Sequence, residues 1–172
     1  SSQSKPIFIN KAKNNDFYCQ SRDIFQARLD NLYNETQNPL LVAVAGEIGN
    51  NSFDHNLGSW PDISGAHFLS SNKEKLLVIA DRGQGVKSTL GRIIEDIADD
   101  KAAVEIAFTK VISGRSPEQR GNGLKFVASA VKAGNWDLFF QSGNGAAQIK
   151  DREIAFLKSA EKIRGCLAIL KY

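Results

Sequence analysis

Residues 75–85 read KLLVIADRGQG, and this stretch decides how the rest of the chain is interpreted. Residues 75–80 form a short, mostly apolar run, which predicts a largely buried β-strand. The carboxylate of Asp81 follows the strand directly, and Gly83 and Gly85 come next. Glycine allows the backbone to turn sharply and to approach a ligand without a Cβ in the way. We therefore expect a strand that delivers an acidic side chain to a glycine-containing loop.

A helix with an unusual polar stripe is predicted upstream of this strand. Asn38 and Pro39 form a typical helix start, with a capping side chain before a proline at the first helical position. The helix then places Glu47, Asn51 and His55 four residues apart, so each lies one turn beyond the last on one face. Burying such groups without partners is costly, so they form either the solvated face of an amphipathic helix or a functional site.

The remaining elements predict an α+β fold. Residues 66–70 and 75–80 are two strands joined by turn-forming residues. Strands paired by hairpins, with helices in blocks between them, favour a two-layer α/β sandwich over an alternating βαβ fold. Further strands are predicted at residues 5–10, 136–142, 146–149 and 166–170, and further helices at 21–33, 90–98, 104–111, 124–131 and 154–160.

Length and composition limit the possible classes of protein. The chain has 172 residues, of which 42% are hydrophobic and 24% charged; this is typical of one globular domain and excludes collagen-like, disordered and disulfide-scaffold proteins. We expect a single domain over residues 1–172. The net charge of +3 is too small to indicate a nucleic-acid partner. No apolar run approaches the ~20 residues of a membrane helix, and Cys19 and Cys166 lack metal-ligand spacing, so we expect a cytoplasmic protein with buried thiols.

Three Gly-x-Gly pairs, at residues 83–85, 121–123 and 143–145, resemble nucleotide-binding loops. Each pair alone is a weak signal, and a simple turn is the more economical interpretation of any one of them. A dinucleotide-binding fingerprint needs a third glycine three residues later, and a Walker A loop needs glycine directly before lysine. The third glycine is replaced in the three pairs by Ser88, Phe126 and Gln148, and Val86 separates Gly85 from Lys87. Both of these common nucleotide folds are therefore disfavoured.

The order of the polar helix, the acidic strand end and the second glycine pair resembles the GHKL ATPase superfamily, which includes DNA gyrase, a heat-shock chaperone, sensor histidine kinases and mismatch-repair proteins. Glu47-x-x-x-Asn51 resembles the N box, Asp81-x-Gly83-x-Gly85 the G1 box, and Gly121-x-Gly123 the G2 box. The resemblance runs from about residue 20 to the end of the chain. It implies a Bergerat fold, in which a mixed, mostly antiparallel sheet is covered by helices on one face.

The resemblance also implies a Mg-ATP site. In it, Asp81 would accept a hydrogen bond from the adenine amino group, and Gly83 and Gly85 would let the backbone approach the nucleotide. The phosphates would bind at a helix start, because free N–H groups and the helix dipole favour anions there. The helix start in question is formed by Gly121, Asn122 and Gly123.

Further implied roles concern the phosphate end of the site. Asn51 would supply an amide oxygen to Mg²⁺, and Glu47 would orient or deprotonate the attacking water or hydroxyl. Residues 113–121 would form a short ATP lid, from which Arg120 contacts the γ-phosphate; Arg115 is a weaker candidate. His55 either contacts a phosphate, caps its helix or is a plain surface residue. Neighbouring polar side chains outside the motif, at Asn50 and Asn56, have no predicted role.

One departure from the family concerns the strand at residues 166–170. Many members carry a Gly-Thr pair before it, whose hydroxyl supports adenine binding, whereas this chain has Gly165 and Cys166. A thiol is a poor hydrogen-bond donor, so adenine contact from this strand is in doubt.

Within the superfamily, the chain most closely resembles the stand-alone anti-sigma-factor serine kinases. The lid is short, and neither His55 nor His67 lies on a dimerising helix that would make it a phosphoacceptor. We expect a regulatory kinase or ATPase that transfers the γ-phosphate to a serine or threonine of a protein partner. The alternatives are a non-catalytic ATP-gated binding module and the catalytic fragment of a longer histidine kinase. A homodimer is possible, and neither nucleic acid nor a membrane is expected as a partner.

Overall fold

The computed structural model describes residues 17–56, 60–110 and 122–172. The strands are β1 (Tyr18–Cys19), β2 (Ala66–Ser71), β3 (Leu76–Asp81), β4 (Asp137–Ser142), β5 (Gly145–Lys150), β6 (Glu153–Lys158) and β7 (Cys166–Lys171). The helices are α1 (Arg22–Thr36), α2 (Pro39–Asn56), α3 (Val86–Leu90), α4 (Asp100–Thr109) and α5 (Gly123–Gly134). Among these described residues, no helix is both long and apolar enough to cross a bilayer.

The strands form one seven-stranded sheet in the order β1-β2-β3-β7-β4-β5-β6, and the pairings between neighbours are antiparallel. The last strand of the chain, β7, lies between β3 and β4. Its first residue, Cys166, is opposite Asp81 on one side and Ser142 on the other. Because directly opposed residues point to the same face of a sheet, these three side chains lie side by side at one end of the central strands.

Helices cover one face of the sheet, which makes the α+β two-layer sandwich that the sequence predicts. Side chains on alternate positions of the strands, such as Leu77, Leu138 and Leu170, join the helices in a continuous core. Close helix packing depends on a glycine: a Cβ on Gly49 of α2 would lie 2.1 Å from the ring of Phe25 on α1. The two helices can therefore approach only because this position has no side chain.

The helix predicted at residues 154–160 is wrong, because the structure has strand β6 there. Asp151 and Arg152 both take positive φ angles, of 50° and 65°, and form the tight turn that joins β5 to β6. Ile154 and Phe156 pack against the core while Ala155 between them is exposed. This period of two is that of a strand, and the short apolar run was compatible with either element.

The helix predicted at residues 90–98 is also wrong. Helix α3 ends at Leu90, and the N–H of Gly91 bonds the Lys87 carbonyl at the helix end. Asp96 then takes a left-handed conformation, with φ of 57°, and Ile93 is 62% exposed. The helical spacing of leucine and isoleucine in this segment therefore does not reflect a buried helix face. The predicted strand at residues 5–10 lies outside the described residues.

Candidate functional site

A cavity that opens to solvent lies among α2, α3, α4 and α5 and the ends of the central strands. It is enclosed mainly by apolar side chains, including Ile48, Leu90 and Phe140. An apolar hollow with a few converging polar groups is the usual form of a small-molecule site. The predicted site residues that line it are Asn51, His55, Asp81, Gly85 and Gly123.

Asp81 is the buried acid of this cavity, with 7% of its surface exposed. Its Oδ1 accepts the N–H of Gly83 at 2.7 Å, and its Oδ2 accepts the hydroxyl of Ser52 at 2.8 Å. Burial raises the pKa of Asp81. The hydrogen bonds from Gly83 and Ser52, a further one from the backbone N–H of Cys166, and the charge of His55 all lower it, but they offset only part of the rise. The carboxyl is thus desolvated but held in a fixed orientation.

Asn56 holds the loop that follows Asp81. Its Nδ2 donates to the backbone carbonyl of Ser52 at 2.9 Å, and its Oδ1 accepts the N–H of Gln84 at 2.8 Å. A Cβ on Gly83 would lie 2.0 Å from Nδ2 of Asn56, so the loop can pass over this amide only with glycine there. Gly83 therefore packs against the side chain of Asn56 and is not among the residues that line the cavity.

Ser142 holds the other side of the same loop. Its Oγ accepts the N–H of Val86, the first residue of α3, at 2.8 Å, and it also contacts the thiol of Cys166. Desolvation and the nearby carboxylate of Asp81 raise the pKa of the Cys166 thiol, so it stays protonated. The hydroxyl groups at this end of the cavity therefore come from Ser52 on α2 and Ser142 on β4, whereas β7 has the thiol of Cys166.

Gly165 and Gly85 show where the backbone itself is constrained. Gly165 has a φ of 78°, and a Cβ there would lie 2.1 Å from the carbonyl oxygen of Asp81. Gly85 has a φ of 81°, and its Cβ would lie 3.0 Å from Oγ of Ser142. Both conformations favour glycine, and both keep the chain close to the acid without a side chain in between.

Glu47 and Asn51 meet the start of α5. A Cβ on Gly123 would lie 2.5 Å from Oε2 of Glu47 and 3.9 Å from Nδ2 of Asn51. The carboxylate and the amide thus approach the helix N-terminus from one face of α2. Glu47 is exposed, so its carboxylate can be reached from solvent.

The start of α5 is not capped by a side chain. Asn122 is at its N-cap position, yet Asn122 forms no capping hydrogen bond and its buried Oδ1 has no partner. By contrast, Ser21, Asn38 and Asp99 cap α1, α2 and α4 with their side chains. Within the described residues, the N-cap side chain thus leaves the first N–H groups of α5 uncapped, and a helix start of this kind favours an anion. Gly121, Arg115, Arg120 and the rest of the predicted lid at 113–121 lie outside the described residues.

The third glycine pair is a turn and not part of the cavity. Gly143 and Gly145 lie where β4 turns into β5. A Cβ on Gly143 would lie 2.1 Å from Oδ2 of Asp100, and a Cβ on Gly145 would lie 2.3 Å from the carbonyl oxygen of Asp100. Oδ2 of Asp100 accepts the N–H of Asn144 at 3.1 Å. This hairpin therefore packs on the first residue of α4.

A group of ion pairs ties the loops beside the cavity together. The carboxylate of Asp62, before β2, accepts hydrogen bonds from Arg82 after β3, the closest at 2.6 Å, and from Arg164 before β7 at 3.2 Å. The hydrogen bond from Arg82 lowers the pKa of Asp62 to about 2. On the opposite side, Arg22 of α1 forms an ion pair with Asp54 and a long hydrogen bond of 3.5 Å to Asn50.

Asn51 and the start of α5 are the groups beside the cavity that could hold a metal ion and an anion. In residues 17–56, 60–110 and 122–172, no three His, Cys, Asp or Glu side chains converge as a metal-binding group. A single amide such as Asn51 suits Mg²⁺ that is held mainly by phosphate oxygens, which is the usual manner of binding for this ion. The start of α5, near Asn51, is uncapped by its N-cap side chain and could bind an anion.

Comparison with known proteins gives a limited result. No protein-family model matches the chain, and no curated protein matches it. Among solved structures, it is similar to the 43K ATPase domain of Thermus thermophilus gyrase B in complex with an aminocoumarin. The two are 18% identical, with a TM-score of 0.40, and the match covers 74% of this chain and 32% of that one. The chain thus spans about a third of the length of that structure.

Proposed function

We propose that this chain is a GHKL-type domain that binds Mg-ATP and transfers the γ-phosphate to a serine or threonine of a partner protein. The observation that supports this function is the convergence of the predicted motifs on one cavity. Asp81 is buried among its lining residues, and Glu47 and Asn51 approach it where α5 starts at Gly123. These groups come from parts of the chain far apart in sequence, so their meeting is not a local effect.

The adenine base is recognised by the buried acid. An ionised carboxylate only accepts hydrogen bonds, so Asp81 selects a base that presents an amino group. Ser52 and Gly83 already occupy one lone pair on each oxygen of Asp81, which fixes the direction of those that remain. The apolar walls formed by Ile48, Leu90 and Phe140 suit the faces of a flat ring.

The phosphates bind at the uncapped start of α5, where free N–H groups and the helix dipole favour negative charge. Asn51 offers its amide oxygen to Mg²⁺, which when bound neutralises phosphate charge. Glu47 accepts the proton of the partner's hydroxyl. That hydroxyl oxygen forms a bond to the γ-phosphorus while the bond to the β,γ-bridging oxygen breaks and ADP leaves.

A second candidate is an ATP-gated binding module without phosphoryl transfer. One observation favours it: Glu47 is exposed and forms no hydrogen bond or ion pair within residues 17–56, 60–110 and 122–172 that would orient it. A general base is usually held by a further group. In this case ATP would serve only to order the site for a partner.

Calorimetry with ATP and Mg²⁺ tests the binding site. Asp81→Asn should lower the affinity for ATP by at least tenfold, because an amide does not reproduce a charged acceptor with the same geometry. Asp137→Asn is the matched control, since Asp137 is an exposed carboxylate at the opposite end of the sheet. Unchanged ATP affinity in Asp81→Asn would remove the basis of the whole assignment.

Phosphoryl transfer is tested with γ-labelled ATP and candidate partner proteins. We expect label on a serine or threonine of one partner, and loss of that label with Glu47→Gln but not with the exposed-turn control Glu74→Gln. Label that appears only in free phosphate contradicts the kinase function. Partner binding that needs ATP but survives Glu47→Gln, without transfer, identifies the binding module instead.

A further inference from the structure

Strand β6 forms an open edge of the sheet. It is the last strand in the order, and among residues 17–56, 60–110 and 122–172 it pairs with β5 alone. The strand at the other edge, β1, has only two residues, whereas β6 has six. An edge strand presents a row of unpaired N–H and C=O groups to any strand that can approach it.

The sequence of β6 lacks the features that usually protect an edge. Natural edge strands are commonly blunted by proline, by a bulge or by charged side chains. The centre of β6 reads IAFL at residues 154–157, and its register with β5 is continuous, without a bulge. The two charges, Glu153 and Lys158, stand at its ends, and Nζ of Lys158 lies 2.8 Å from Oδ2 of Asp99. The middle of the edge is therefore apolar and regular.

One hydrogen bond shows which backbone groups of β6 point outward. The N–H of Ser159 bonds the carbonyl of Asn144 at 2.8 Å, and this pair continues the register of β5 and β6. In an antiparallel pair, every second residue directs its N–H and C=O toward the partner strand. Counting back from Ser159, these are the odd-numbered residues of β6. The groups that point to the open side therefore belong to Ile154, Phe156 and Lys158.

We propose that β6 pairs with β6 of a second copy of the chain, antiparallel and about a two-fold axis at Phe156. In this register Phe156 is opposite Phe156 of the second copy, and Ile154 is opposite Lys158 of the second copy. These three pairs use every outward-pointing group of both strands, and each pair exchanges two backbone hydrogen bonds. A two-fold contact of this kind is self-complementary and closes at the dimer.

Side-chain chemistry favours this register over its neighbours. Ala155, which is exposed, lies opposite the half-buried Leu157 of the second copy, so two apolar pairs form on the face away from the helices. A register shifted by two residues toward the turn would set Lys158 opposite Arg152 and lose a hydrogen-bonded pair. A shift of one residue would oppose outward groups to groups that already bond β5.

The short contact predicts a dimer that dissociates on dilution. Stable specific interfaces bury roughly 800 Å² per partner, and one pair of six-residue strands supplies less than that. The residues that line the cavity beside Asp81 include none from β6. The proposal therefore concerns a surface outside the candidate site and does not rest on the proposed function.

Sedimentation equilibrium of the full chain at a series of concentrations tests the association. We expect a reversible equilibrium between monomer and dimer. Ala155→Lys should weaken the dimer at least tenfold, because lysine on an edge strand opposes pairing. Ala133→Lys, at an exposed position of α5, is the matched control and should leave the association unchanged. A monomer at every concentration, or a dimer that Ala155→Lys leaves intact, would overturn the proposal.

Cysteine variants test the register. Opposed residues of a non-hydrogen-bonded pair have Cα atoms about 4.5 Å apart, within reach of a disulfide. A mixture of the Ala155→Cys and Leu157→Cys chains should therefore give an interchain disulfide under mild oxidation. Its yield should be at least tenfold higher than that of Ala155→Cys mixed with Ala133→Cys. The original chain, which has only Cys19 and Cys166, should give none.

Ala155→Cys alone distinguishes the proposed axis from one at Ala155. In the proposed register, residue 155 of one copy is diagonal to residue 155 of the other, at about 7–8 Å, so this variant should form less disulfide than the mixture with Leu157→Cys. A higher yield from Ala155→Cys alone would overturn the axis at Phe156. No disulfide in any mixture, or equal yields with the Ala133→Cys control, would overturn the pairing itself.

Discussion

The hydroxyl of Ser52 donates a hydrogen bond of 2.8 Å to Oδ2 of Asp81, and both residues are buried. Ser52 follows Asn51 on α2, whereas Asp81 ends β3, so this bond joins the helical layer to the sheet at the candidate site. A buried carboxylate that loses one of its donors keeps the cost of its desolvation. The bond therefore matters both to stability and to the direction in which Asp81 accepts a ligand.

Replacement of the serine tests this link. Ser52→Ala should lower the free energy of unfolding by roughly 1–3 kcal/mol, because it leaves Oδ2 of Asp81 without that partner in a buried place. Urea denaturation measures the change. Ser88→Ala is the control, since Ser88 is exposed and makes only a hydrogen bond of 3.5 Å to Gln84. Equal stability of the two variants would show that Asp81 finds another donor.

The raised pKa of Asp81 predicts a pH dependence of stability. Burial keeps the pKa of Asp81 in the folded protein above the ordinary value of 3.8, which applies to the unfolded chain. At pH values between the unfolded and the folded pKa, the folded state therefore binds more protons than the unfolded state. This contribution to stability is therefore present below the ordinary pKa and is lost as the pH rises through the folded pKa. The Asp81→Asn variant should lack this fall, which denaturation at a series of pH values from about 3.5 to 7 can measure.

The same raised pKa predicts that ATP binding weakens in acid. Only the ionised carboxylate accepts at both oxygens, so affinity should decline as the pH falls through the folded pKa of Asp81, which lies above 3.8. Calorimetry across this pH range measures the decline, and Asp81→Asn should show a flatter profile. Since ATP also titrates, the difference between the two proteins is the relevant quantity.

Two glycines on α2 form a matched pair for stability. A Cβ on Gly49 would meet the ring of Phe25 at 2.1 Å, whereas a Cβ on Gly46 would make ordinary contact with Leu29 at 3.6 Å. Gly49→Ala should therefore destabilise the protein by about 1–3 kcal/mol through overpacking. Gly46→Ala should stabilise it by about 0.5–1 kcal/mol, because alanine favours the helix. Thermal and urea unfolding distinguish the opposite signs.

Gly123→Ala distinguishes an effect on the candidate site from an effect on the stability of the fold. The added methyl group would lie 2.5 Å from Oε2 of Glu47, which is the mobile end of an exposed side chain, so the carboxylate can move aside at little cost in stability. We expect an unfolding midpoint close to that of the original chain, but at least a tenfold loss of phosphoryl transfer or ATP affinity. Gly46→Ala, adjacent to Glu47, should keep both activities. A variant of Gly123 with full activity would mean that Glu47 is not used at this position.

Much of the fold could be predicted because its patterns are local. The strand that ends at Asp81 and the helix that begins at Pro39 follow directly from apolar runs, a capping residue and a proline. The error at residues 154–160 arose because a short apolar run fits both helix and strand spacing, whereas at residues 90–98 apolar residues at helical spacing follow the end of α3 at Leu90. At residues 154–160 the chain returns as strand β6, because the tight turn at Asp151 and Arg152, with positive φ at both residues, pairs this segment with β5.

The candidate site was less predictable, because much of it depends on contacts between distant parts of the chain. Glu47, Asn51 and Asp81 stand out by spacing, but Ser52, Asn56 and Ser142 were missed. For Ser52 and Asn56 a signal existed: they continue the apolar stripe through Ile48 at intervals of four, so they are polar groups in buried positions that need partners. Ser142 has no such signal, because its bond to Val86 follows only from the strand order.

The central place of β7 has a consequence for the order in which the molecule is made. Synthesis proceeds from the N-terminus, so β1-β2-β3 and β4-β5-β6 both precede the strand that joins them. Until β7 is released, Asp81 lacks the backbone N–H of Cys166, and Ser142 faces no neighbour across the gap. The two halves of the sheet can therefore be joined, and the cavity beside Asp81 completed, only after β7 has been synthesised and lies between β3 and β4.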